Sequence, residues 1–232
     1  MVGHYHEALS VLKNRIFHPW EGGEGKVPSQ YTVCLVEIAK SLINTGQYSE
    51  AVNYLTQAKS YPENLGEGKL YGTQENHIDY YLGVAYSRLG NHEQATNYFT
   101  KASTGLSEPT SPLYYNDQPP DMIFYQGLAN RKLHNPEKAQ NIFNELIDYG
   151  QEHLGDNIQM DYFAVSLPDF LVFEDDLNTR NDQHCRYMMA LGYLGLGKEI
   201  QAVEHFQKIL IQNPAHQGAV THNKIINEAN NL

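Results

Sequence analysis

Basic residues are scarce in this chain. Of its 232 residues, 16 are Lys or Arg against 27 Asp or Glu, a formal net charge of -11. So acidic a surface repels phosphate backbones, which sets nucleic acid aside as a partner. Long apolar runs are missing as well. No stretch approaches the roughly 18 uninterrupted apolar residues of a membrane span, so no membrane association is expected. Residues Met1 to Ser10 carry neither the basic segment nor the apolar core of a secretory leader, and the expected location is cytoplasmic. There are 2 cysteines, Cys34 and Cys185, both in segments that read as helices. They read as small buried apolar residues, and a disulfide between them is not needed.

The usual signatures of chemistry are also absent. The 11 histidines invite a metal reading, but the closest groupings are His4-Tyr5-His6 and His184-Cys185. Neither has the i, i+4 spacing that puts two ligands on one helix face, and no H-E-x-x-H or C-x-x-C occurs. No G-x-S-x-G elbow supports a nucleophilic serine. Gly-Glu-Gly-Lys occurs at 23–26 and again at 66–69. It lacks the spacing of a phosphate loop and follows no strand, so it reads as a duplicated turn whose lysine pairs with glutamate. Paired carboxylates carry glycoside chemistry only at a set separation. Nothing in the sequence fixes the spacing of the loop acids Glu21, Glu24, Asp117, Asp161 and Asp169. No metal, no cofactor and no catalytic residue are therefore expected of this chain.

What the chain does have is a period. Ala8, Ala51, Ala95 and Ala139 are 43, 44 and 44 residues apart, and Ala202 follows after 63. Each sits in one short pattern: GHYHEAL from Gly3, GQYSEAV from Gly46, GNHEQAT from Gly90, HNPEKAQ from His134 and GKEIQAV from Gly197. Self-similarity at a period of this size marks stacked repeats, none of which buries its apolar face alone.

With Asn76 as position 1, Gly83 falls at position 8, Ala95 at 20, Phe99 at 24 and Ala102 at 27. The same register gives Ala39, Ala51, Leu55 and Ala58 earlier. Later it gives Gly127, Ala139, Phe143 and Leu146, then Ala190, Ala202, Phe206, Ile209 and Pro214. This pattern resembles the tetratricopeptide repeat, a helix-turn-helix of about 34 residues. The resemblance implies an all-α fold, a right-handed α-α superhelix, in which small residues at 8 and 20 meet where two helices cross. First helices are expected at about 30–44, 75–89, 120–133 and 182–196. Second helices are expected at about 49–60, 92–104, 136–153 and 199–212. The reading is one solenoid over 1–232: a half-repeat at 1–17, repeats at 30–62, 75–109, 120–153 and 182–214, and a polar capping helix at 215–231. The half-repeat has no first helix, which suggests a piece of a longer protein.

The surplus over a minimal repeat sits in inserts. Ser107 to Pro120 holds four prolines around Tyr114, Tyr115, Asn116 and Asp117. Asp161 to Phe173 is apolar and aromatic, and either packs on its own stack or covers a partner. The segments PWEGGEGK, YPENLGEGK, YYNDQPPDMIFYQG and DYFAVSLPDF resemble the C-terminal repeat half of an uncharacterised bacterial family. That family has an upstream β-sandwich region similar to mutarotase-like domains. The likeness implies a carbohydrate context.

In tetratricopeptide arrays the first helices line the concave face, at positions 2, 5, 9, 12 and 13. Position 5 is Val36, Tyr80, Phe124 and Tyr187; positions 12 and 13 add Asn44, Arg88, Arg131 and Lys132; position 2 adds His77, Asp121 and His184. Tyr80, Arg88, Phe124, Arg131, Lys132 and Tyr187 are thus the candidate binding residues for a protein or peptide segment, or for an upstream domain of the same protein. Aromatic faces stack and guanidinium groups grip carboxylates. The competing reading has the inserts fold back and bury these aromatics as extra core. For a carbohydrate-processing alternative, Trp20, Glu21, Tyr115 and Asp117 are the candidate contacts.

Overall fold

The structure, a computed structural model, describes residues 3–20, 23–111, 118–159 and 176–228. These residues form ten α-helices and one short 3-10 turn, with no strand among them. The all-α class expected from the period is what they show. Two compact units divide the chain, the first ending at Thr104 and the second starting at Gly105. The insert Asp161 to Phe173, with Tyr114 to Asp117, lies outside the described residues.

The first unit holds α1 (Tyr5–Asn14), α2 (Lys26–Asn44), α3 (Tyr48–Ala58), the turn Glu63–Leu65, α4 (Asn76–Arg88) and α5 (His92–Ala102). Helices α2 with α3, and α4 with α5, pack as antiparallel pairs, and α3 packs on α4. Helix α1 packs on α2 and on the 3-10 turn. The second unit holds α6 (Pro120–Lys132), α7 (Pro136–His153), α8 (Leu177–Gly195), α9 (Glu199–Gln212) and α10 (Gln217–Glu228). Here α6 pairs with α7 and α8 with α9, while α7 also packs on α8.

The small residue at position 8 has a definite role. A β-carbon added at Gly83 would come within 2.6 Å of the Phe99 ring, and one at Gly127 within 2.4 Å of the Phe143 ring. Position 8 is therefore emptied mainly for the ring at position 24, not for the alanine at position 20. Ala95 and Ala139 are themselves buried. Phe143 is enclosed further by α8, where a β-carbon at Gly195 would lie 2.3 Å from it.

The turn between paired helices has a fixed backbone demand. Gly46, Gly90 and Gly197 all adopt positive φ, at 80°, 76° and 72°. At the corresponding place in HNPEKAQ stands His134, with φ of 60°, alone among the described non-glycine residues in that region. A left-handed residue just past a helix end lets the following N–H groups reach back to its last carbonyls. Asn135 N–H, for instance, donates to the Asn130 carbonyl at 2.9 Å.

Carboxamides finish the second helices. Asn64 donates to the Leu12 carbonyl within α1 and the Arg15 carbonyl just beyond it, both at 2.7 Å. Asn76 donates to Ala102 at 2.9 Å and Thr104 at 2.7 Å. Asn181 donates to His153 at 2.7 Å. The last carbonyls of a helix have no partner inside it, and a buried amide supplies one from the next element.

Helices α7 and α9 occupy the residues expected for them. Two first helices start earlier than expected. Helix α2 begins at Lys26, after Gly25 with φ of 73°, and Pro28 sits in its first turn, where a missing N–H costs nothing. Helix α8 begins at Leu177 because Asp176 caps it, accepting from Asn178 N–H at 3.0 Å and from the Thr179 hydroxyl at 2.6 Å. The polar run at 177–181 hides that start from a reading of apolar periodicity.

Candidate binding faces of the two units

In the first unit ion pairs sit on α2 and link the end of α3 to α4. Lys40, at position 9, is buried, donates to Glu37 Oε1 at 2.6 Å and lies 5.8 Å from the Tyr81 ring centre. Lys59, at the end of α3, reaches Asp79 Oδ1 at 2.5 Å and Glu75 Oε2 at 3.2 Å. Lys69 pairs with the other oxygen of Glu75 and donates to the Lys59 carbonyl at 3.1 Å. Burial opposes the charge on Lys59, but the bond and attraction to Asp79 prevail and raise its pKa. Burial, with Lys40 and Lys59 nearby, holds His77 down to about 4, so its imidazole is neutral at pH 7. Tyr5 of α1 is pushed up to about 12, by burial first and then by Glu37.

The duplicated turn closes on itself in this unit. Gly25 N–H donates to the Glu67 carboxylate at 2.7 Å, so one copy of Gly-Glu-Gly-Lys holds the other. The expected lysine–glutamate pair does form at Lys69, but with Glu75 rather than with the glutamate of its own turn. At Gly66, φ is 82° and a β-carbon would lie 2.5 Å from the Phe17 carbonyl oxygen. No other residue fits that approach without a shift.

The second unit gathers rings around Tyr187, beside ion pairs such as Arg186 with Asp182 at 2.8 Å. Tyr187 is buried, and its hydroxyl lies 3.0 Å from His222 Nδ1 of α10. The same nitrogen lies 2.9 Å from the Gly218 carbonyl. It either accepts the tyrosine proton or carries its own and donates it to the carbonyl. His222 also meets Phe124 edge-on at 5.7 Å and Tyr125 at 5.7 Å between ring centres. His216 packs on Tyr187 at 5.1 Å. Burial holds His216 below the usual histidine range, and holds His184 down to about 4 although its Nε2 lies 2.8 Å from the Thr110 carbonyl. Asp121, in the first turn of α6, is raised to about 6 by burial, against hydrogen bonds from backbone N–H groups. Burial, then Asp121, drives the Tyr187 hydroxyl well above its ordinary range.

The candidate residues separate into two kinds. Tyr80, Phe124 and Tyr187 are buried, at 8, 1 and 6% exposure. Tyr80 packs on Tyr81 and Phe99, and Phe124 on Tyr125 and Phe143. With their faces spent on these neighbours, the three rings are not open to a ligand in this state. In the second unit, α10 supplies part of that cover. Arg88 and Lys132 are exposed. Arg131 stacks over Phe143 at 5.3 Å and donates to the Gly195 carbonyl, finishing α8. Of the alternative contacts, Trp20 is half exposed and its ring fills the space beside Gly23. Glu21, Tyr115 and Asp117 lie outside the described residues. Sequence reasoning missed His222, Gly218 and the Lys59–Glu75–Asp79 group. A visible signal existed for Asp79 and His222, polar residues on helices that are buried.

Both cysteines are free and buried, Cys34 in α2 and Cys185 in α8. No described helix is long and apolar enough to cross a membrane.

Residues 34–64 and 80–104 match the tetratricopeptide repeat family. Both stretches lie in the first unit, and together they take in most of α2 to α5. Tetratricopeptide repeats generally mediate protein–protein interaction, which supports a scaffold role. The second unit carries the same tetratricopeptide-like register of Gly127, Phe143, Ala190, Ala202 and Phe206, all five in direct helix-to-helix contact or fully buried.

Proposed function

We propose that the chain is a non-catalytic scaffold whose two units each hold a protein segment against the exposed end of a first helix. The observation that carries this reading is the match to tetratricopeptide repeats, together with exposed cationic residues, Arg88 on α4 and Lys132 on α6. Exposed guanidinium and ammonium groups form charge-assisted hydrogen bonds with carboxylates on a partner. The ligand class is therefore an acidic peptide segment. The aromatic candidates contribute from beneath, as the rigid support of those helices, with Arg131 holding α6 to the end of α8.

The test is an array of acidic, neutral and basic peptides probed with the whole chain and with Arg88→Glu and Lys132→Glu variants of unchanged helicity. Retention of acidic peptides, with the first unit's site weakened about tenfold by Arg88→Glu or the second unit's by Lys132→Glu, supports the proposal. Equal retention by all three chains, or none by any, sinks it.

A second reading rests on Trp20. A half-exposed indole beside a glycine is a surface on which a sugar ring can stack. Saturation-transfer NMR of the whole chain with common mono- and oligosaccharides decides it, and no transfer to any saccharide removes it.

A further inference from the structure

Helix α10 is held by unusual means. Among the residues of α10 whose burial is described, Ala219, Thr221, His222 and Ile225 are buried, and two of these four are polar. Two histidines do the work of core rings: His222 lies among Phe124, Tyr125 and Tyr187, and His216, just ahead of the helix, lies against Tyr187. The backbone of α10 rests on the Tyr187 ring. A β-carbon at Gly218 would sit 2.4 Å from both Cζ and the hydroxyl oxygen. Polar groups gain little by leaving water, even when hydrogen-bonded, so such a helix is bound weakly for the area it covers. Beneath it is the opposite kind of surface: three aromatic rings on α6 and α8, backed by Phe143 and Phe206.

A poor occupant on a good seat is the arrangement expected of an internal placeholder. We propose that α10 is a displaceable internal ligand of the second unit. An amphipathic helix of a partner protein takes its place over Phe124, Tyr125 and Tyr187. The recognition chemistry follows from α10 itself. The incoming helix needs a small residue where Gly218 sits and, four residues on, an aromatic ring where His222 sits. A ring without buried nitrogens fits the Phe124–Tyr125 face better than imidazole does. The Tyr187 hydroxyl then donates to a backbone carbonyl or a side-chain oxygen of the newcomer. The proposal rests on the scaffold reading and adds a second, gated surface to it. Exchange of this kind is limited by how often α10 leaves, and sub-global opening of this one helix is the natural route.

The test uses the whole chain. Gly218→Val drives a side chain into the Tyr187 ring and should release α10. The probe is a fluorescent peptide of residues 215–228 carrying His222→Phe. In G218V, hydrogen exchange of α10 amides should rise while α6 to α9 stay protected. The peptide should bind that chain at least tenfold more tightly than the original, and Y187A in the same chain should abolish binding. Should G218V fail to fold, His222→Ala, which adds no atom, gives the same readings. Any of four results overturns the proposal: α10 stays protected, α6 to α9 lose protection with it, the peptide does not bind, or the released chain pairs with a second copy and recovers α10 protection. The peptide-array test at Arg88 and Lys132 is read on the original chain, so failure here leaves the scaffold reading standing and failure there is separately visible.

Discussion

The two units solve one packing problem with different chemistry. Both stack helix pairs on a position-8 glycine facing a position-24 phenylalanine, Gly83 with Phe99 and Gly127 with Phe143. Around that shared contact the first unit places Glu37–Lys40 and the Lys59–Glu75–Asp79 group, while the second places Phe124, Tyr125, Tyr187 and two histidines. Ion pairs fix geometry, because removing one partner strands a charge. Ring clusters tolerate exchange, because one flat apolar group substitutes for another at modest cost. The first unit is therefore built to stay as it is, and the second to accept a different cover.

The largest test of this contrast is in the core. Phe143→Ala should cost about 4 kcal/mol in denaturant unfolding, since the ring is fully buried and gripped by glycines of both α6 and α8. Phe99→Ala, at a ring 6% exposed and facing Gly83, should cost about 3 kcal/mol. Equal losses would mean that α8 adds nothing to the grip on Phe143.

Next is the ion-pair group. Lys59→Met should cost about 2 kcal/mol, discounted because the lysine side chain keeps 30% exposure while Asp79 and Glu75 are left nearly buried. Adding Asp79→Leu should recover much of the loss. A single variant without effect would show that the first unit does not depend on these pairs.

His134→Gly should stabilise the second unit by about 1 kcal/mol, because glycine adopts a φ of 60° without the strain of a side chain. Gly90→Ala at the matching turn of the first unit should lose a similar amount. Thermal unfolding of the pair checks both signs.

The smallest effect is the response to acid. His184, held near 4 against an ordinary 6.5, supports folding above pH 6.5 and loses that support as pH falls toward 4. Asp121, raised to about 6 from 3.8, works the other way: its contribution is full below pH 3.8 and is lost as pH rises through 6. Between about pH 4 and 6 the two oppose each other. Asp121→Asn removes the gain and leaves the loss, so the variant should be steadier near pH 7 and more acid-sensitive below 6. Hydrogen exchange on α6 and α8 across that range reads the slope, and an unchanged slope would discount Asp121.

Much of the fold was legible because it is local. Pro136 announces α7, Gly46, Gly90 and Gly197 announce turns, and the alanine spacing gives the helix pairs. Local signals failed where a cap stood ahead of a polar run, as at Asp176. The candidate site was half legible. The first-helix positions gave Tyr80, Phe124 and Tyr187 their place, but a position on a helix does not say what lies against it. Arg131 looked like a ligand-binding cation and is spent on the Gly195 carbonyl, 64 residues away in the chain.

By itself the sequence determined the period, the all-α class, the turns and the small residues at positions 8 and 20. Those follow from backbone sterics and side-chain volume within some forty residues of chain. Only the tertiary structure decided that position 8 faces the ring at position 24. It alone decided which polar side chains are paired, and that α10 rests on Tyr187 while Lys59 gathers Glu75 and Asp79. Contacts between distant segments depend on how helices are set against one another, and a few degrees of that setting exchange one neighbour for another.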